Sequence, residues 1–200
     1  MGRVFAITNQ KGGVGKTTTS KLVARALGLA HIDTGAMYRA VALAAKRAGI
    51  GTRDAAALEK LASNVRIEFI PGDAPRVLLD GEDVTALLRT PDMSMAASDV
   101  SAIPGVRRVL VRLQQDLGLR NGGVLEGRDI GTKVFPETPH KFFLTARPEV
   151  RARRRTEEML AKGQRADYET VLADCLARDE QEFRPSLFPG LVVPLKSIWI

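Results

Sequence analysis

Gln10-Lys11-Gly12-Gly13-Val14-Gly15-Lys16-Thr17-Thr18-Thr19 is the stretch on which the fold turns. An apolar run, Val4-Phe5-Ala6-Ile7, precedes it, and Leu22, Val23, Ala26 and Leu27 follow at helical spacing. The order is therefore strand, glycine loop, helix. Glycines at 12, 13 and 15 let the backbone turn tightly and aim several N–H groups at one point, where the helix N-terminus adds partial positive charge. Such a loop cradles phosphate. Gly12, Gly13, Val14, Gly15, Lys16, Thr17 and Thr18 would line it, with Lys16 reaching the β- and γ-phosphates of a nucleotide and the Thr17 hydroxyl holding Mg²⁺. Gln10 stands where the pattern G-x-x-x-x-G-K-S/T has its first glycine.

The chain has 200 residues, which suits one α/β domain with a small insertion and is enough to bury a good core. Hydrophobic residues make up 44% and charged residues 26%, as in ordinary globular proteins. No apolar run approaches the roughly 18 residues of a membrane span, and the N-terminus lacks the shape of a signal peptide. The expected location is cytoplasmic, without a membrane partner. One cysteine, Cys175, forms no internal disulfide and shares a helical pattern with Leu172 and Leu176, so a buried apolar role is expected. Two histidines, His31 and His140, support neither a metal cluster nor a Ser-His-Asp triad. The net charge of +7 raises the possibility of nucleic acid. The arginines, however, gather between Arg147 and Arg165 with no interleaved aromatics, so an anionic small molecule is the better match.

Downstream, Ala30-His31-Ile32 leads to Asp33-Thr34-Gly35, a strand end of the kind that faces the ligand crevice of an open α/β sheet; the same acid and hydroxyl also suit a helix cap. A helix is expected over 37–48, carrying Tyr38 and Arg39, and another over 54–63 capped by Asp54. Strands are expected over 65–70 and 76–79, joined by Pro71-Gly72-Asp73-Ala74-Pro75, with a turn of solvated acids at 80–83. Two helices between Pro91 and Leu119 break at Ile103-Pro104-Gly105 and carry Ser98, Arg107, Arg108 and Arg112. Val124-Leu125-Glu126 is a short strand ending in Gly127-Arg128-Asp129, where glycines flank an arginine able to clamp phosphate and an acid able to accept from an amino group. Lys141 to Leu144 is another core strand. Pro148 opens a helix whose Arg151, Arg154 and Arg155, spaced by three and four, concentrate positive charge on one face, and a last helix over 166–182 is capped by Asp167.

Asp33-Thr34-Gly35-Ala36-Met37-Tyr38-Arg39, Leu79-Asp80-Gly81-Glu82-Asp83-Val84, Arg89-Thr90-Pro91, Glu126-Gly127-Arg128-Asp129-Ile130-Gly131-Thr132 with Val134-Phe135-Pro136, and Phe143-Leu144-Thr145-Ala146 together resemble bacterial cytidylate kinases over roughly residues 20–182. The resemblance implies an α/β P-loop fold of the nucleoside monophosphate kinases: three layers around a five-stranded central parallel sheet, an inserted α+β subdomain binding the monophosphate, and a helical lid. It makes 1–200 a single domain, with the insert at about 35–105 and the lid at about 147–166. It also implies ATP, Mg²⁺ and CMP or dCMP as ligands, and a monomer is expected. Arg39, Arg107 and Arg128 would hold the acceptor phosphate, while Ser98 and Asp129 would read the cytosine edge. Asp33 and Thr34 would line the acceptor site near the transferring phosphate, Arg178 would contact the sugar, and Arg151, Arg154 and Arg155 would be the lid cations.

Two stretches depart from that family. Residues 7–19 are similar to the deviant phosphate loop of partition ATPases, in which Lys11 would reach a nucleotide across a dimer interface, so a dimerising ATPase is the alternative expectation. Near the far end Glu182 replaces the family's sugar-contacting aspartate and Pro185 a phosphate arginine, leaving Leu191-Val192-Val193 or Ser197 to Ile200 to supply a last strand.

Overall fold

A computed structural model describes residues 3–9, 14–72, 74–161 and 163–182. Along the chain come β1 (Val4–Thr8), α1 (Lys16–Leu27), β2 (His31–Asp33), α2 (Thr34–Arg47) and α3 (Ala55–Asn64). There follow β3 (Ile67–Ile70), β4 (Arg76–Leu79), β5 (Glu82–Asp83), a 3₁₀ turn (Leu87–Arg89), α4 (Pro91–Ser101) and α5 (Pro104–Asn121). The last elements are β6 (Gly123–Gly127), a π-type turn (Ile130–Val134), β7 (His140–Phe143), α6 (Pro148–Ala161) and α7 (Tyr168–Glu182).

Four strands pair in parallel in the order β2-β6-β1-β7, which places the glycine-loop strand between two strands from the second half of the chain. The fifth strand implied by the family resemblance would come from the C-terminal apolar runs, outside the described residues. Alternation along the strands sorts the core onto two faces. Val4, Ala6, Ile32 and Leu125 pack with α2, α3, α4 and α5, whereas Ile7 and Val124 pack with Val14, Ala24 and the half-buried Phe5 and Val23 under α1. At the sheet edge Phe5 and His140 are register partners with stacked rings, centroids 4.6 Å apart.

The small antiparallel sheet, β3-β4-β5, does not build a core of its own. Ile67, Leu79, Val84 and Leu88 join the cluster containing Met37, Val41 and Leu110. Here the expected four-residue turn shortens to two residues. Asp80 (φ 51) and Gly81 (φ 88) make a tight hairpin turn of the left-handed kind, and Glu82–Asp83 pairs with Leu78 and Leu79 as a third strand. Nor are its acids merely solvated, since Glu82 accepts two 2.8 Å hydrogen bonds from Arg47 of α2 and Asp80 accepts one from the Arg66 N–H at 2.8 Å.

Helix α2 begins at Thr34 rather than Met37, because Asp33 caps it by accepting from the Ala36 N–H at 3.2 Å. Helices α6 and α7 pack on each other through Ala152, Val171 and Cys175, which gives the lone thiol the expected buried apolar role. Among the described residues no helix is long and apolar enough to cross a membrane.

Gly118 lies buried in α5, where an added Cβ would stand 2.7 Å from Phe135 Cζ. In a helix interior alanine normally gains up to about 1 kcal/mol over glycine, but overpacking a core costs about 1–3 kcal/mol. Gly118→Ala is therefore expected to lower the urea midpoint, and a midpoint above the parent's would show that the Phe135 ring yields freely.

Candidate active site

Helices α2, α3, α4 and α7 are each capped by a side chain, from Asp33, Asp54, Thr90 and Asp167. Helix α1 is not. Its N-cap is Gly15, held at φ 81, a conformation glycine adopts without strain, and this residue has no side chain to cap the first-turn N–H groups. That end of the helix is electrostatically positive and open to an anion. Lys16 and Thr17 are its first residues. Val14 is buried beneath them, whereas Thr18 faces solvent.

Glu126 lies opposite, at the carboxyl end of β6, in register with Ile7 of β1 and Asp33 of β2. Alternation turns its side chain to the α1 face. There it is 1% exposed, accepts a 2.8 Å hydrogen bond from Thr17 Oγ1, and lies 3.6 Å from Lys16 Nζ. His31 Nε2 is also 3.6 Å away, within ion-pair reach but beyond a hydrogen bond. Burial pushes the Glu126 carboxyl up, but the His31 ring, the Lys16 ammonium and the Thr17 hydroxyl together outweigh burial and hold it below the usual carboxylate range. Its Oε2 is buried with no hydrogen-bond partner.

One strand away, Asp33 takes the capping role, Oδ1 accepting from the Ala36 N–H at the start of α2, while Oδ2 accepts from Arg39 Nη2 at 2.8 Å. Gly35 allows that closure, for a Cβ there would lie 3.1 Å from Asp33 Oδ1 and 3.2 Å from Arg39 Nη1. Thr34 is buried, and its hydroxyl donates to the Glu126 carbonyl at 2.8 Å, tying the start of α2 to β6. Gly127 makes this possible, since a Cβ would come within 2.4 Å of that hydroxyl and 2.8 Å of Ile130 Cδ1.

A second ion pair joins α5 to the loop after β6, with Arg107 Nη2 2.7 Å from Asp129 Oδ2. Tyr38 borders both: burial raises its hydroxyl pKa, with Arg107 lowering it and Asp129 raising it. Ser98 is on the exposed side of α4, and Arg128 is exposed.

The three arginines of α6 that the sequence singled out, Arg151, Arg154 and Arg155, reach three different environments. Arg151 is buried, its Nε donating to the Ala146 carbonyl at 3.2 Å. Arg154 turns toward the phosphate loop, where Nη1 lies 3.2 Å from the point a Gly15 Cβ would occupy. Arg155 is exposed beside a groove between α6 and α7 that Arg165, Asp167 and Asp174 also line. Gln10, Lys11, Gly12, Gly13, the Arg178 side chain and everything from Phe183 onward lie outside what the structure describes. The lysine behind the partition-type alternative is among them.

Sequence reading gave no role to Glu126 or His31, which meet Lys16 and Thr17. The available signal was Glu126 itself: a carboxylate in an otherwise apolar strand, Gly123-Val124-Leu125-Glu126-Gly127, is costly to bury unless something compensates it.

The chain is similar to known proteins of one family. The cytidylate kinase family model matches residues 11–189. A cytidylate kinase of Symbiobacterium thermophilum is 45% identical over 184 residues, spanning 91% of this chain and 81% of the relative. One from Geobacter sulfurreducens is 48% identical over 182 residues, 90% and 78% of the two chains. Among solved structures, an uncharacterized protein from Eubacterium ventriosum shares the fold at a TM-score of 0.50 and 10% identity, covering 99% of this chain and 89% of that one. With its motifs in register and a family match over nearly its whole length, this chain belongs to the cytidylate kinase family.

Proposed function

We propose that the chain is a cytoplasmic, monomeric cytidylate kinase that transfers the γ-phosphoryl group of ATP to a phosphate oxygen of CMP or dCMP, giving ADP and CDP or dCDP. The observation that carries this reading is the register of Asp33 against Glu126. Neighbouring strands lie about 4.8 Å apart. The Asp33–Arg39 pair therefore starts one strand spacing from the carboxylate that holds Lys16 and Thr17, as suits a donor and an acceptor phosphate that must meet.

Mg²⁺ prefers hard oxygen ligands, retains waters, and is held through one or two carboxylates plus substrate phosphates. Glu126 Oε2, buried without a hydrogen bond and 3.6 Å from the Lys16 ammonium, fits that preference beside the Thr17 hydroxyl. When bound, the metal would neutralise charge on the β- and γ-phosphates. The protein's own contribution is positioning and charge. The N–H groups at Gly15 and Lys16 cradle the donor phosphates, and Lys16 leaves Glu126 for the nucleotide. Arg39, Arg107 and Arg128 hold the acceptor phosphate in line, with Ser98 and Asp129 on the cytosine edge and Arg178 on the sugar. Arg154, already against Gly15, brings a lid cation to the transferring group, with Arg155 beside it. Arg151 anchors α6 through Ala146. The insert at about 35–105 and the lid at about 147–166 carry these groups.

ADP release coupled to CMP, dCMP, UMP or no acceptor tests the reading. Turnover is expected with CMP or dCMP and to fall by about 10²-fold or more in Lys16→Ala; equal rates in all four conditions, or a fully active variant, would overturn it. A second expectation concerns pH. Because the folded Glu126 pKa is depressed, its stabilisation is fully present above the unfolded glutamate value and is lost as pH falls through the folded one. Glu126→Gln should flatten the loss of stability below about pH 4.5, read as urea midpoints at pH 6 and pH 4. At neutral pH it should weaken use of MgATP by about 10–100-fold. Parallel midpoint curves for the two proteins would refute the linkage.

A further inference from the structure

Between α1 and the small sheet runs a cleft of about 270 Å³ that the motif residues only partly account for. Thr17, Asp33 and Arg39 line its inner end, while Lys21 of α1 and Arg89 of the 3₁₀ turn line its walls, with Phe69, Val77 and Leu88 supplying apolar surface. The charge in the lining is one-sided: Lys21, Arg39, Arg76 and Arg89 against Asp33. Arg39 and Arg76 have carboxylate partners, Asp33 at 2.8 Å and Asp83 at 3.9 Å, but among the described residues Lys21 and Arg89 have none.

Two further features point to an occupant. Arg39 Nε is buried without a hydrogen-bond partner, and so is Nε2 of His31, whose side chain is 9% exposed and lines the same cleft. Although Arg39 pairs with Asp33 and His31 lies 3.6 Å from Glu126, these two buried nitrogens make no hydrogen bond, and an anion in the cleft would supply the missing acceptor. Cations that converge in a cleft with low-dielectric walls also focus their field there.

We propose that Lys21 and Arg89, from the two walls of this cleft, bind the phosphate of the acceptor nucleotide alongside Arg39. An acceptor monophosphate carries between one and two negative charges near neutral pH, and the cleft presents two uncommitted cations to it. This rests on the kinase reading, because the phosphate named is that of the acceptor.

Lys21→Gln, Arg89→Gln and the double variant test it, with Arg53→Gln, an exposed cation outside the cleft, as control for net charge. Steady-state rates and calorimetric binding of CMP and of cytidine are read side by side, with melting temperatures to confirm folding. In the double variant the KM for CMP should rise by about tenfold or more while the KM for ATP stays within about twofold. CMP affinity should fall toward that of cytidine, and cytidine binding should not move. The proposal is overturned if CMP binds the double variant as tightly as the parent. Equal weakening of CMP and cytidine, an ATP effect without a CMP effect, or an equal effect of Arg53→Gln would also overturn it. A parent protein that releases no ADP with CMP would sink the kinase reading instead, while the gap between CMP and cytidine affinity would still report on the cleft.

Discussion

A carboxylate buried in a sheet is stable only if its surroundings replace the water it has lost, and Glu126 sets that condition here. Its compensators come from two separate parts of the chain, Lys16 and Thr17 at the start of α1 and His31 in β2, while Thr34 of α2 takes up its backbone carbonyl. Each part must be placed correctly for the others to work. Parallel pairing of β6 with β1 brings Glu126 level with Ile7 just below the phosphate loop. Gly127 lets Thr34 and Ile130 close over the strand end where any side chain would collide. The sheet order, the glycine after the glutamate and the open N-terminus of α1 are thus consequences of one electrostatic requirement.

The two core faces divide the labour. Donor-side groups ride on α1 and the α1 face of the sheet, while Arg39, Ser98 and Arg107 ride on α2, α4 and α5, which share one apolar cluster with the small sheet. Because the insert has no independent core, its residues keep a fixed relation to α2. By contrast, α6 and α7 bury a small cluster of their own around Ala152, Val171 and Cys175. A unit with few buried apolar contacts opens at low free-energy cost, as the lid role proposed for α6 would require.

Much of this was legible in the sequence because it is local. Period-2 and period-3.6 patterning placed the core strands and most helices, and the caps at Asp54 and Asp167 followed from residue type alone. Non-local features were not legible. Glu126 reads as one letter of a turn motif until β6 lies beside β1, more than a hundred residues away, and His31 reads as an isolated histidine until β2 flanks β6. Arg151 shows the limit of helical spacing. The i, i+3, i+4 rule puts it on the face of Arg154 and Arg155, but the first turn of α6 starts against Ala146, so its guanidinium is buried where theirs are not. Strand β5 escaped because two residues carry no periodicity.

The pairing of charges also explains how so basic a site folds. With a net charge of +7, cations gathered for phosphate repel one another before any phosphate arrives. The structure answers by giving three of them a carboxylate: Lys16 with Glu126, Arg39 with Asp33, Arg107 with Asp129. Nucleotide binding at these positions is then an exchange of one anion for another, so the protein does not have to desolvate bare cations at the moment of binding. The exchange also orders events, because Lys16 and Thr17 cannot turn fully to a donor phosphate without loosening their hold on Glu126.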